Sequence, residues 1–268
     1  MTAIKKPIVL AYDLETSPCL SWVWSTGKQN VGANQLLRPG KIICVSYRFS
    51  HWPEGKVKNL RWKKKKRDNR FSIPFTDKEM VIKFAKIAAK ADILVGHNSD
   101  NFDNKWLNTR LAYYRQPTYR QPTLRHHMTE DTLKQARRQF RLPSFRLDFL
   151  CKYFNIPGKL STPTGLWQKV VFDGCPDALD TMVSYCDNDV LIQAALYEHL
   201  YDYVHHTLNL GTFNGLTEIC PQCGSKHRQK RGYRYTNLGK FQAYICLNCH
   251  HWYRDGVNLL PGGKYVGR

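Results

Sequence analysis

Two Cys-x-x-Cys pairs near the carboxyl end, Cys220-Pro221-Gln222-Cys223 and Cys246-Leu247-Asn248-Cys249, restrict this chain more than any other feature. They stand 22 residues apart. Each pair presents two thiolates from one tight turn, so the four sulfurs can close a single tetrahedral Zn²⁺ site. Four sulfur ligands leave no open position, which makes the ion structural. His227, His250 and His251 lie nearby, but the four-cysteine set needs no further donor. The other five of the nine cysteines are scattered singly, which favours metal in a reducing compartment over a disulfide framework. Gly224 suits the first turn, and residues 234–235 and 241–245 read as strands of a small β-ribbon. Residues 213–268 are therefore expected to form a small domain of their own, after a larger one at 1–212.

The chain has 268 residues, with 41 Lys and Arg against 21 Asp and Glu, a formal net charge of +20. Such an excess points to a polyanionic partner. A hydrophobic fraction of 42% excludes a disordered basic tail. No apolar run approaches the roughly 18 residues of a membrane helix, so no membrane partner is expected. Asp13 and Glu15 interrupt the first apolar run and no cleavage site follows, so a signal peptide is not expected and the cytoplasm is the expected location.

Within the larger part, residues 8–14, 42–49 and 57–62 read as a meander of strands. Thr76, with Glu79 three residues on, reads as a capping box opening an amphipathic helix to about Ala91. Residues 93–96 form a short apolar strand that runs through a polar turn into a helix from Phe102 to about Tyr114. Shorter helices are expected at 131–138 and 145–154, an irregular mobile loop at 155–176, and a long helix from Ala178 to about His205. The sum is an α/β fold in which helices flank a mixed β-sheet.

Four acids fall on four separate elements. Asp13 and Glu15 are two apart on the first strand and so share a face. Asp103 follows the strand-to-helix turn, and Asp189 lies on the long helix with Tyr185 one turn earlier on the same face. Converging carboxylates repel unless hard cations neutralise them, which calls for two Mg²⁺ or Mn²⁺ ions and phosphoryl hydrolysis. Taken singly, Asp13 and Glu15 could be a solvated strand end, Asp103 a helix cap and Tyr185 a core residue. Asp131 reads as a helix cap, and Asp187 points to another side of its helix. His97 reads as a backbone hydrogen-bonder.

Asp13-Leu14-Glu15, Asn98-x-x-x-Phe102-Asp103 and Tyr185-x-x-x-Asp189 together resemble the three motifs of DEDD-type 3′-5′ exonucleases. They are most similar to the proofreading exonuclease domain of family-B DNA polymerases and to standalone, often phage-encoded, enzymes of that type. The resemblance covers about residues 8–205 and implies a ribonuclease H-like fold. Tyr185, with Ser184 where the other subclass has His, implies the tyrosine subclass, in which the phenol orients the attacking water. By the same resemblance Asp13, Glu15 and Asp189 would bind one metal, and Asp13 with water-mediated Asp103 the second. It also implies 3′-to-5′ polarity, DNA as substrate with single strands preferred, and a bacterial or phage-infected cell. A separate polymerase or a replication or recombination protein would be the partner. An RNA exonuclease and a catalytically idle nucleic-acid-binding protein are the alternatives.

The carboxyl-terminal segment resembles zinc ribbons of nucleic-acid proteins. Lys230, Arg231, Arg234 and Tyr235 interleave charge with rings, which suits phosphate contact and base stacking. A ribbon that only stabilises the fold or docks a protein is the alternative. Lys63, Lys64, Lys65 and Lys66 belong to a basic run that is either a solvated sheet edge or a groove for the phosphate backbone. The exonuclease resemblance implies that residues of this turn, His97, Asn98 and Phe102, shape the rim of the site, with a purely backbone-bonding role the alternative for His97. Trp22 and Trp24 could stack on a terminal base or pack in the core.

Overall fold

A computed structural model describes residues 4–64, 73–115, 128–158, 163–237 and 239–260. The chain divides into two compact units, Pro7–Tyr203 and Val204–Arg268, the second taking in Met1–Lys6.

The first unit is built on a five-stranded mixed sheet. Its strands are β1 (Val9–Thr16), β2 (Ile42–Phe49), β3 (Lys58–Arg61), β4 (Ile93–Gly96) and β5 (Met128–Asp131), in spatial order β3-β2-β1-β4-β5. The β1–β2 and β2–β3 pairs are antiparallel, and β4 and β5 add in parallel beyond β1. This mixed sheet with helices on both faces is consistent with the ribonuclease H-like class that the motifs imply.

Period-two alternation on β1 explains the two cores. Leu10, Tyr12 and Leu14 turn to one face, where they meet α1 (Lys78–Ala88) and α2 (Asp103–Tyr113) through Met80, Phe84, Leu107 and Leu111. Asp13 and Glu15 turn to the other. There the long helix α6 (Pro176–Leu200) packs Met182, Val183 and Cys186 on Ile43 and Cys44. Pro176 opens α6 at a position where its missing N–H leaves no bond unmade. Between these elements run α3 (Thr132–Gln139), α4 (Leu147–Tyr153) and a short α5 (Leu166–Gln168).

The structure corrects three expectations. Helix α1 has Asp77, not Thr76, at its N-cap, and Glu79 pairs with Lys63 instead of closing a capping box. Asp77 is fully buried because Arg110 of α2 grips it with two bonds of 2.7 and 2.8 Å. The expected loop at 155–176 contains α5 and a π-helical turn, Lys169–Asp173, that buries Val170 and Val171. Strand β5 was not expected, since Met-Thr-Glu-Asp ends in two acids. Glu130 is nevertheless buried against Gln135, and Asp131 caps α3 through Leu133 N–H at 3.0 Å.

The second unit holds α7 (Leu210–Asn214) and a three-stranded antiparallel sheet, β6 (Arg228–Thr236), β7 (Gly239–Cys246) and β8 (Trp252–Arg254), with β7 central. Among the described residues no helix is long and apolar enough to cross a membrane.

Candidate active site and candidate metal centre

Strand β1 pairs with β4 only from Val9 to Ala11, so Asp13 and Glu15 project beyond the carboxyl end of the parallel ladder. That edge is where ligands of open α/β sheets settle. Asp13 lies opposite Ser46 and Glu15 opposite Cys44 on β2, and both acids are half-buried.

Helix α6 touches β1 at two points one turn to either side of Asp189. Cys186, three residues earlier, donates its thiol to the Asp13 carbonyl oxygen at 3.4 Å and to Asp13 Oδ2 at 3.7 Å. Gln193, four residues later, donates from Nε2 to the carbonyl oxygens of Tyr12 (3.2 Å) and Val95 (2.9 Å). The amide thus fills the fork where β1 and β4 part. Positions 186, 189 and 193 share a helix face, so Asp189, only 5% exposed, is held above the same strand as Asp13. Tyr185, four residues before Asp189, is half-buried.

Asp103 is the first residue of α2 and 3% exposed. It does not cap the helix through its side chain; Phe102 is the N-cap. The turn before it is tightly built. A Cβ on Gly96 would lie 2.2 Å from Ser99 Cβ, which excludes any larger residue there. Asn98 takes the left-handed conformation (φ 66°), which asparagine tolerates better than most residues. Asp131 accepts from the N–H groups of Asn98 (2.9 Å) and Asp100 (3.2 Å), fixing the turn to the end of β5. Burial first, and the charge of Asp13 next, push the Asp103 carboxyl well above the ordinary carboxylate range; its own N–H and that of Leu14 pull it down, and Glu15 adds to the rise. Asp103 Oδ1 is buried and has no hydrogen-bond partner among the described residues. A buried carboxylate raised by two neighbouring acids is a position that a divalent cation would stabilise, although among the described residues these acids do not bring three ligand atoms within 4.8 Å of one another.

Two polar residues near these acids make structural bonds. Asp187 accepts from Ser46 Oγ (2.6 Å) and Asn59 Nδ2 (2.9 Å), tying α6 to β2 and β3. His97 bonds Thr132 Oγ1 at 2.9 Å and the Phe145 carbonyl at 3.0 Å. Sequence reasoning missed Cys186 and Gln193; their spacing of three and four from Asp189 on one face was the available signal.

Of the expected substrate contacts, Phe102 is exposed and packs edge-on against Trp106. Lys63 and Lys64 form a two-residue strand paired with Phe75–Thr76, apart from the central sheet. Lys65 and Lys66 lie outside the described residues. Trp24 is 88% exposed and Trp22 stands against it at 5.3 Å, so neither is a core residue.

In the second unit Cys220, Cys223, Cys246 and Cys249 bring their sulfurs within 4.8 Å of one another, the one such cluster of three or more metal-ligand side chains among the described residues. Cys220 and Cys249 are 3.7 Å apart, Cys223 and Cys246 3.6 Å. Tetrahedral zinc with bonds of about 2.3 Å sets sulfurs about 3.8 Å apart, whereas a disulfide would set them about 2.05 Å apart. The cluster therefore fits a zinc ion. Burial opposes ionisation of Cys246, but the N–H groups of Cys249 and Asn248 prevail and lower its thiol to about 7. Lys230, Arg231, Arg234 and Tyr235 are all exposed along β6.

No known family profile matches the sequence, and no curated protein does. Among solved structures 155 chains match. One is the family B DNA polymerase from the hyperthermophilic archaeon Pyrobaculum calidifontis, 17% identical with a TM-score of 0.46, over 74% of this chain and 25% of that one. The chain thus spans about a quarter of the polymerase's length.

Proposed function

We propose that the chain is a metal-dependent 3′-5′ exonuclease that hydrolyses terminal phosphodiesters of DNA, with single strands preferred. The observation that carries the reading is the bracketing of Asp189 above Asp13 by Cys186 and Gln193, with the buried Asp103 close enough to feel Asp13's charge. In this reading acids from β1, α2 and α6 serve one site at the carboxyl edge of the parallel strands.

Two Mg²⁺ or Mn²⁺ ions would neutralise these acids and polarise the phosphate and the attacking water. Asp13 and Glu15 offer carboxylate oxygens from one face of β1, and Asp189 offers a third set from α6. Asp103, whose carboxyl burial and the charge of Asp13 raise, would bind such an ion in its ionised form. The Tyr185 hydroxyl, one turn before Asp189, orients the attacking water. Basic side chains hold the phosphate backbone, and the exposed pair Trp22 and Trp24 stacks on unpaired bases. The zinc of the ribbon is structural.

A 5′-labelled single-stranded DNA oligomer incubated with Mg²⁺ or Mn²⁺ tests this. The expected result is a ladder shortening from the 3′ end that disappears without divalent cation and in Asp13→Ala. A chain that leaves DNA intact but trims RNA would shift the substrate. One that cuts neither yet binds both would be a binding protein, and the exonuclease reading would fall.

A further inference from the structure

The ribbon hairpin carries a one-residue β-bulge that decides which side chains share its outer face. Lys230 lies opposite Tyr244, yet Tyr233, three residues on, lies opposite Gln242, only two residues along β7. The extra residue sits at Arg231–Gly232, where Gly232 takes a left-handed φ of 69° and its carbonyl accepts from Gln242 Nε2 at 2.7 Å. An unbulged strand would put Lys230 and Tyr233 on opposite faces, because side chains alternate. The bulge resets the alternation, so Lys230, Tyr233, Tyr235 and Lys240 fall on one face. Arg234, opposite the buried Phe241, falls on the other.

That face has an unusual surface. Tyr233 is 51% exposed and Tyr235 71%, and they stand about 6.8 Å apart along the strand. Lys240 Nζ lies 4.0 Å from the Tyr233 ring centre and 5.8 Å from that of Tyr235, and both rings remain exposed. Lys230 and Arg231 have no acidic partner among the described residues. Residues 216–268 hold nine Lys and Arg and two acids. Open rings flanked by unneutralised cations complement a chain of flat bases joined by phosphates, and only an unpaired strand offers both at once.

We propose that Tyr233 and Tyr235, with Lys230, Arg231 and Lys240, form a stacking platform for the unpaired bases of a single-stranded nucleic acid, created by the bulge at Gly232. The occupant, though not the platform, rests on the reading of the chain as a nucleic-acid enzyme.

The test uses the full chain carrying Asp13→Asn, so that the probe survives, and measures binding of a labelled oligothymidylate by fluorescence anisotropy in Mg²⁺. Tyr233→Ala with Tyr235→Ala should weaken binding by about 30-fold or more, each ring contributing about 5- to 150-fold. The paired Tyr→Phe changes should keep the parent affinity, and Arg234→Ala should cost less than the tyrosine pair. Unchanged zinc content in every variant reports that the ribbon is folded. Equal affinity of the Tyr→Ala and parent chains, equal losses for Arg234→Ala and the tyrosine pair, or equally tight binding of duplex would each overturn the platform. Cleavage is assayed separately on the unmodified chain. Tyrosine-dependent binding without cleavage would sink the exonuclease reading and keep the platform, and cleavage with tyrosine-independent binding would do the reverse.

Discussion

The thiol of Cys186 reaches the Asp13 side chain at 3.7 Å and its carbonyl oxygen at 3.4 Å, making it the contact through which α6 meets the first acid of the site. Burial, and then the neighbouring Cys44, keep this thiol protonated, so it donates to Asp13. Cys186→Ser preserves a donor of similar size and is expected to retain most trimming activity. Cys186→Leu overpacks a fully buried position and should lose about 1–3 kcal/mol of stability. Because it also displaces Asp13, its trimming rate should fall further than its urea midpoint suggests. Equal activity of the Leu and Ser variants would contradict this contact.

Gln193→Leu removes the donor shared by the buried carbonyl oxygens of Tyr12 and Val95. The expected loss is about 1–3 kcal/mol in urea unfolding. Its trimming rate should drop while the affinity for an oligomer in the Asp13→Asn background stays put, since the amide aligns Asp189 and touches no substrate.

Arg110 and Asp77 form a buried bidentate pair. Burial opposes the Asp77 charge, but bonds from Arg110, Tyr114 and the Ile42 N–H overcome it and hold the carboxyl below its ordinary value. A depressed carboxyl stabilises the fold above its unfolded value of about 3.9 and loses that contribution as pH falls through the folded value. Arg110→Met strands the carboxylate and should cost about 3–5 kcal/mol at neutral pH. Asp77 in that variant protonates readily, so the gap to wild type should narrow as the medium approaches about pH 4. A gap independent of pH would show that packing, not charge, governs the site.

Trp24→Ala should leave the unfolding midpoint within about 0.5 kcal/mol of wild type, because the side chain is almost wholly in solvent. If it stacks on substrate, KM for single-stranded DNA should rise by about 5- to 150-fold with kcat little changed. An unaltered KM would remove it from the substrate path.

Metal analysis of the purified chain should find one zinc per molecule. Cys246→Ser should abolish it and expose Tyr244, which packs at 7% exposure within the ribbon.

The strand and helix patterns were readable wherever burial follows hydrophobicity, as in β2, α1 and α6. They failed where polar groups are buried in pairs. Glu130 with Gln135, Asp131 with four backbone N–H groups, and Asp77 with Arg110 all occupy interior positions that no apolar periodicity marks. The same holds within the site. The motif spacing singles out Asp13, Glu15, Asp103 and Asp189, but the side chains that tie α6 to β1, Cys186 and Gln193, are unremarkable letters until the sheet is assembled beneath them. The ribbon's cysteines were legible from spacing alone, while the face on which Tyr233 and Tyr235 lie depends on a bulge that a strand pattern conceals.

Gln193 reads main-chain oxygens, which every residue possesses, in the fork between β1 and β4. The alignment of α6 over the sheet is thereby insulated from substitution at positions 12 and 95. The strands can drift in sequence while the acids keep their relative places, and the change this clamp does not absorb is an insertion or deletion of one residue that slips helix against strand.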